Sequence, residues 1–414
     1  MRAALRAAAE TVAAVLGGRT LDEALTADPA LRGAQRELAS AALRAYGRGD
    51  AALAQLMPAP PRPALLRALL LVALARLAAR PAEAHTVVNE AVAAARQLAG
   101  GRAHGLVNGV LRNYLRRAAD IEAALNADPV CRHGLPGWWL EALQADHPQH
   151  WTAICAAANE HPPMCLRVNR RRCTVDEYAG LLAAQGMAAR QVGVEALLLE
   201  RPLGVDRLPN FAAGWVSVQD AGAQHAAHLL DLAPGQRVLD ACAAPGGKSA
   251  HILELADVDL LALDASPERA ARMAPNFARL GVQARIAVAD CRKTEAWWDG
   301  RPYDRILADV PCTASGVVRR HPDAKWLRRR SDTTRFAQTQ HAILASLWNL
   351  LAPGGKLLYA TCSVFAEENV KQIQSFTSAH PDCRILPIND QPSLQLLPAP
   401  AHDGFFYALL SRLS

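Results

Sequence analysis

Along the first 130 residues apolar side chains recur every three to four positions. The repeats run over 12–16, 38–46, 65–77, 87–98 and 106–115, and each predicts a helix with one face turned to a core. Gly17-Gly18, the Pro-rich run 58–63 and Gly100-Gly101 separate them. An all-helical bundle over 1–130 is the expectation. The pattern then becomes mixed. Residues 165–169, 196–199 and 215–218 read as strands, 175–185 as a helix, and the Gly-Pro-Trp-rich stretch 134–139 as a junction before another helix. This predicts a small α/β module over 131–231. From 232 to 414 short apolar runs alternate with helical patterns. Strands are expected at 237–240, 260–264, 285–289, 305–309 and 356–360. Helices should start at Gly247, Pro267 and Glu367 and span 336–351, and 404–410 can add a last strand. Such alternation predicts a doubly wound α/β domain.

Composition narrows the class. The apolar fraction is 51% and mean hydropathy +0.01, values of a globular chain. The most apolar stretch, 64–79, is interrupted by Arg67 and Arg76 and reads as a buried helix rather than a membrane span. No signal-like apolar core opens the chain, so a cytoplasmic location is expected. Nine cysteines without a CxxC pair suggest neither a disulfide framework nor a metal site. The net charge is +6, but 40 of the 45 basic residues are Arg, and the first Lys in the chain is Lys248.

That lysine closes a turn, Asp240-Ala-Cys-Ala-Ala-Pro-Gly-Gly-Lys248, between a predicted strand and helix. A phosphate-binding P-loop would need Gly at 242, which is Cys, and the dinucleotide pattern Gly-x-Gly-x-x-Gly is absent. A third reading is S-adenosylmethionine, with adjacent glycines letting the backbone approach a nucleoside. Asp264, at the next strand end, would then take the ribose hydroxyls, and Asp290, one strand further, the adenine amino group. Two cysteines also follow strand ends: Cys312 in Asp309-Val-Pro-Cys312, and Cys362 in Ala360-Thr-Cys-Ser363. Singly, a cysteine at such a place is a small buried hydrophobe, and Cys131, Cys155, Cys165, Cys173, Cys291 and Cys383 read so. Two together, beside a cofactor-type turn, suggest covalent chemistry.

These three motifs resemble the signatures of RNA cytosine-C5 methyltransferases. Gly316-Val-Val-Arg-Arg-His-Pro-Asp323, Lys325-Trp-Leu-Arg-Arg329, Trp215-Val-Ser-Val-Gln-Asp-Ala221 and Asp403-Gly-Phe-Phe-Tyr407 narrow the resemblance to the Sun/Fmu group. The helical part, with His85-Thr-Val-Val-Asn-Glu-Ala91, resembles the antitermination factor NusB. The resemblance implies three parts: an all-α NusB-like bundle, a small α/β RNA-contacting module and a Rossmann-like methyltransferase domain. It implies that Cys242, Ala243, Ala244, Pro245, Gly246, Gly247 and Lys248, with Asp264, Asp290 and Asp309, contact S-adenosylmethionine. Cys362 would be the nucleophile and Cys312 would assist product release. The implied substrate is 16S ribosomal RNA, met by a monomeric chain without metal or membrane.

The reaction explains the residue types. A thiolate adding at C6 of cytosine makes C5 nucleophilic towards a sulfonium methyl. The base must leave its stack to reach both. Arg319, Arg320, Lys325 and Arg328, in a stretch with Trp326, Arg329 and Arg330, are candidates to hold RNA phosphates and to stack. A solvated basic loop is the plain alternative for 328–330. Competing functions are another rRNA or a tRNA cytosine methyltransferase, or an RNA-binding factor with a decayed catalytic domain. Intact Cys312, Cys362, Asp264 and Asp290 argue against the latter.

Overall fold

The computed structural model describes residues 1–98 and 101–413. Of the expected Gly100-Gly101 turn, Gly100 lies outside the described residues. Among the described residues no helix is long and apolar enough to cross a membrane. The chain forms two compact units.

The first unit is helical and comprises Met1–His161 together with Val318–Arg330. Helix Ala64–Ala79 has no polar face because it is the centre of the bundle, with ten of its sixteen residues buried. Helices Arg2–Leu16, Pro29–Arg44, Ala84–Ala95 and His104–Arg116 share its Ala/Leu/Val core. Thr20 and Glu23 form a capping box, and Asp28 caps the helix that opens on Pro29. The unit reaches beyond the expected end at 130. Helices Pro129–His133, Gly137–Asp146 and Trp151–Ala157 belong to it. So does 318–330, which follows the rest of the unit only after residues 162–317 have passed through the other. Asp323 accepts from Leu21 N at 3.0 Å, Trp326 Nε1 donates to Leu43 O at 2.7 Å, and Arg44 donates to Arg319 O at 2.8 Å.

The second unit carries two sheets. Strands β1 (Cys165–Val168), β2 (Ala189–Gln191), β3 (Ala196–Leu199) and β4 (Val216–Val218) pair antiparallel in the order β2-β3-β1-β4. Of these only β2, short and largely exposed, escapes the sequence pattern. The larger sheet contains β5 (Arg237–Asp240), β6 (Asp259–Asp264), β7 (Arg285–Val288), β8 (Tyr303–Asp309), β9 (Leu351–Thr361), β10 (Cys383–Leu386), β11 (Leu394–Leu396) and β12 (Phe405–Arg412). Its order is β10-β12-β9-β8-β5-β6-β7, with β11 paired to β12. The five strands from β9 to β7 are parallel, and β12 and β10 are antiparallel additions. The chain runs outward through β5, β6 and β7, then crosses back to β8 on the other side of β5. That reversal opens a crevice at the carboxyl ends of β5 and β8.

A buried ion pair ties the small sheet to the large domain. Arg167, on β1, is fully buried. It donates from Nε at 2.9 Å and Nη2 at 2.7 Å to the two carboxylate oxygens of Glu254, and from Nη1 at 2.8 Å to Gly247 O. Two arginines that follow it are engaged as well: Arg171 bonds Asp257 at 2.6 Å, and Arg170 pairs with Glu195. Arg167→Met would leave Glu254 charged and dry, at a cost of about 3–5 kcal/mol. Arg167→Met with Glu254→Met should recover most of that loss. Urea unfolding of the single and double variants checks both values.

Candidate active site

The turn after β5 is shaped from below. Asp240, at the strand end, is buried and accepts from Ser249 Oγ at 2.6 Å. Ala243 N bonds Leu263 O at 2.9 Å, and Gly246 N folds back on Ala243 O at 2.7 Å. Gly246 adopts φ +94°, and a Cβ there would lie 2.9 Å from the Phe277 ring. Ala243 and Ala244 are buried and Pro245 is exposed. The Cys242 side chain packs inward, where a hydrogen bond with Cys291 and then burial push its thiol well above the usual range.

Acids line the crevice at successive strand ends. Asp264 accepts from Ala244 N at 3.0 Å and Ser266 N at 2.9 Å, so its carboxylate is pinned by backbone donors. Asp290 follows β7 and is held low by its hydrogen bonds with Arg292. Asp309, ending β8, takes Lys248 Nζ at 2.6 Å. Burial, the largest single influence, would lower the Lys248 ammonium, but the charge and hydrogen bond of Asp309, with the charges of Cys362 and Asp240, together hold it above its ordinary value. An edge rich in carboxylates suits a cationic ligand with hydroxyl and amino donors. It repels a pyrophosphate.

The two thiols meet. In the β8–β9 ladder Asp309 pairs with Ala360, so the loops that follow leave the sheet side by side. Cys312 Sγ lies 3.3 Å from Cys362 Sγ. Cys312 is buried and Cys362 half-buried. The hydrogen bond with Cys362, then burial, then the charges of Cys362 and Glu368 push the Cys312 thiol well above its usual range.

Glu368 sets that distance, and the sequence reading passed over it. Fully buried, it accepts from Thr313 N at 2.8 Å and Thr313 Oγ1 at 2.5 Å on one loop, and from Ser363 Oγ at 2.6 Å on the other. Gln340 Nε2 adds a bond at 3.2 Å. Burial raises its pKa. Ser315 Oγ, 2.9 Å from Ser363 Oγ, and Gly316 N, 2.8 Å from Cys362 O, complete the clamp. The only signal in the sequence was an acidic pair, Glu367-Glu368, five residues past Cys362.

The candidate RNA-binding residues lie elsewhere. All five fall within 318–330, in the helical unit. Arg319 and Lys325 are buried at 2% and 0% exposure, so neither offers its charge at a surface. Lys325 Nζ bonds Asn159 Oδ1 at 2.6 Å, and Trp326 packs edge-on against Tyr46. Arg320 and Arg328 are half-buried. Six charges in twelve residues read as a basic surface for RNA phosphates, with a solvated loop as the alternative at 328–330, but tertiary packing draws part of the segment inward.

Comparison with known proteins follows this geometry. Residues 227–411 match the family profile of the 16S rRNA methyltransferase RsmB/F, 135–206 its ferredoxin-like domain and 2–116 the NusB family. Ribosomal RNA small subunit methyltransferase B of Pseudomonas putida is 43% identical, over 99% of this chain and 98% of its own length. The protein of the same name from Vibrio cholerae is 44% identical over 83% of this chain and 80% of its own. Among solved structures, PH0851 shares the fold at a TM-score of 0.84 and 24% identity, covering 100% of this chain and 99% of its own. A methyltransferase homolog from Pyrococcus horikoshii aligns at a TM-score of 0.61 and 26% identity, over 69% and 97%.

Asp240 generates a pH prediction. Burial first, and the charge of Asp309 second, raise its pKa from 3.8 to about 7. In that window the folded chain holds a proton that the unfolded chain has lost, so stability falls as pH rises from about 4 to about 7. Asp240→Asn should flatten this decline, as read from urea midpoints across the same range.

Proposed function

The chain belongs to the 16S rRNA methyltransferase RsmB/F family, and from that membership we propose that it methylates C5 of a 16S ribosomal RNA cytosine through a covalent adduct of Cys362 at C6. The methyl donor is S-adenosylmethionine. One observation carries the covalent part: two thiols 3.3 Å apart, each on the loop that follows one of two adjacent parallel strands.

The acids at the strand ends fit the donor. Asp264 would take the ribose hydroxyls and Asp290 the adenine amino group. The turn 242–248 and Asp309 border the rest. When bound, S-adenosylmethionine supplies an electrophilic methyl carbon beside a positive sulfur, which matches an edge of carboxylates.

Cys362 is the more accessible of the two sulfurs and adds to C6 of a cytosine swung out of its stack. The C6–S bond makes C5 enamine-like, so one hard step becomes two easier ones. Once C5 is methylated its proton passes to water, the electron pair of the C5–H bond restores the C5–C6 double bond, and the C6–S bond breaks with sulfur leaving as a thiolate. Cys312 sits within hydrogen-bond reach of that sulfur. Its thiol can donate to the departing anion and so ease expulsion. Asp309, fixed by Lys248 at the end of β8, would take the polar edge of the base.

Two tests follow. Cys362→Ala should abolish both methylation and any protein–RNA adduct. Cys312→Ala should attack, methylate once and stall as an adduct that survives denaturing electrophoresis. A shifted band for Cys362→Ala but not for Cys312→Ala would reverse the roles. Separately, Asp264→Ala should weaken S-adenosylmethionine binding more than Asp290→Ala, because a ribose offers two donors and each charged hydrogen bond contributes roughly 1.5–3 kcal/mol. Titration calorimetry of both variants decides the order.

A further inference from the structure

The helical unit contains a pocket of about 700 Å³ that the chemistry above does not use. Its apolar surface comes largely from small residues, among them Ala75, Ala78 and Ala156. Its polar lining holds three guanidinium groups, Arg44, Arg48 and Arg132, beside His133, Thr152 and Asn159, and among the described residues no Asp or Glu faces it.

Of these cations, Arg48 is neutralised by Glu122. Arg44 is not, since its guanidinium donates to a carbonyl, Arg319 O, at 2.8 and 3.3 Å. Behind the pocket wall Lys325 is fully buried, and its ammonium bonds the neutral amide of Asn159, itself a lining residue. Burial and then the charge of Arg44 lower Lys325 to about 7. Cationic groups thus gather around this space without a carboxylate in its lining, an arrangement that an anion relieves.

We propose that this pocket takes one unpaired nucleotide of the RNA substrate, its base against the alanine surface and its phosphate on Arg44 and Arg132. The proposal rests on the reading of the chain as an RNA methyltransferase. A concave site with small apolar walls admits a splayed-out base, whereas an A-form duplex keeps its bases stacked inside and its phosphates on a convex surface.

Ala78 and Arg132 are exposed, so Ala78→Glu and Arg132→Ala leave the packed core alone. Fluorescence anisotropy on the full chain, with a labelled single-stranded RNA oligonucleotide and a blunt RNA duplex, reads the effect. Both variants should bind the single strand about tenfold more weakly, and Arg132→Ala should lower the salt slope by about one. Duplex binding, S-adenosylmethionine affinity and urea midpoints should not move. Unchanged single-strand affinity in Ala78→Glu, as expected if an acidic peptide fills the pocket instead, would overturn the proposal. Equal losses for duplex and single strand would overturn it too. A wild-type chain that binds the oligonucleotide but never methylates ribosomal RNA would defeat the functional reading, while the same affinities would still decide the pocket.

Discussion

One buried carboxylate ties together the two loops that carry the candidate thiols. The loops follow β8 and β9, and apart from a single turn at Ala366–Glu368 neither has regular structure to fix it. Glu368 lies between them and takes hydrogen bonds from Thr313 on one and Ser363 on the other. Buried acceptors are costly when unsatisfied, so the carboxylate and its donors constrain one another strongly. Asn369 adds to this by donating to Ser363 O at 2.8 Å and accepting from Thr361 Oγ1 at 2.6 Å. Loosening this network would move the sulfurs apart before it unfolded the domain.

A second constraint acts on the cofactor side. Arg167 comes from the small sheet, yet its guanidinium bonds the carbonyl of Gly247 in the turn after β5. The small sheet is therefore part of the scaffold of the cofactor turn as well as a candidate RNA surface. Its close fit is visible at Gly214, where a Cβ would lie 2.2 Å from Arg279 O. Only glycine, here at φ +75°, allows that approach. The motifs around Gly316 and Gly404 have a similar cause. The two backbones touch, with Gly404 N bonding Gly316 O at 2.9 Å, and a Cβ on Gly316 would meet Gly404 O at 2.4 Å.

Charge is partitioned by function. The crevice of the larger domain is edged by Asp264, Asp290 and Asp309, which suit a cationic methyl donor. The pocket of the helical unit is lined by cations and suits a phosphate. Segment 318–330 belongs to the helical unit although it follows a catalytic loop in sequence. The chain crosses directly from Cys312 to residues that complete the bundle core.

The amino-acid sequence by itself determined the helical bundle, the alternation of strands and helices, the turn at 240–248 and the pair of cysteines. Each is written in local periodicity or in a contiguous motif, and strand ends follow from where apolar runs stop. What it left open depends on groups distant in the chain. Lys325 reads as a cation that meets RNA and Arg167 as one residue of a strand, because sequence spacing does not reveal that Asn159 or Glu254 waits in the interior. Glu368 passed as an ordinary acid at a helix start, since its partners Thr313 and Gln340 lie 55 and 28 residues away. Even the Cys312–Cys362 contact, though both residues were legible, required the Asp309–Ala360 register to become a distance. Burial and pairing are properties of the packed sheet. Only the tertiary structure decided which charges face water and which hold the site together.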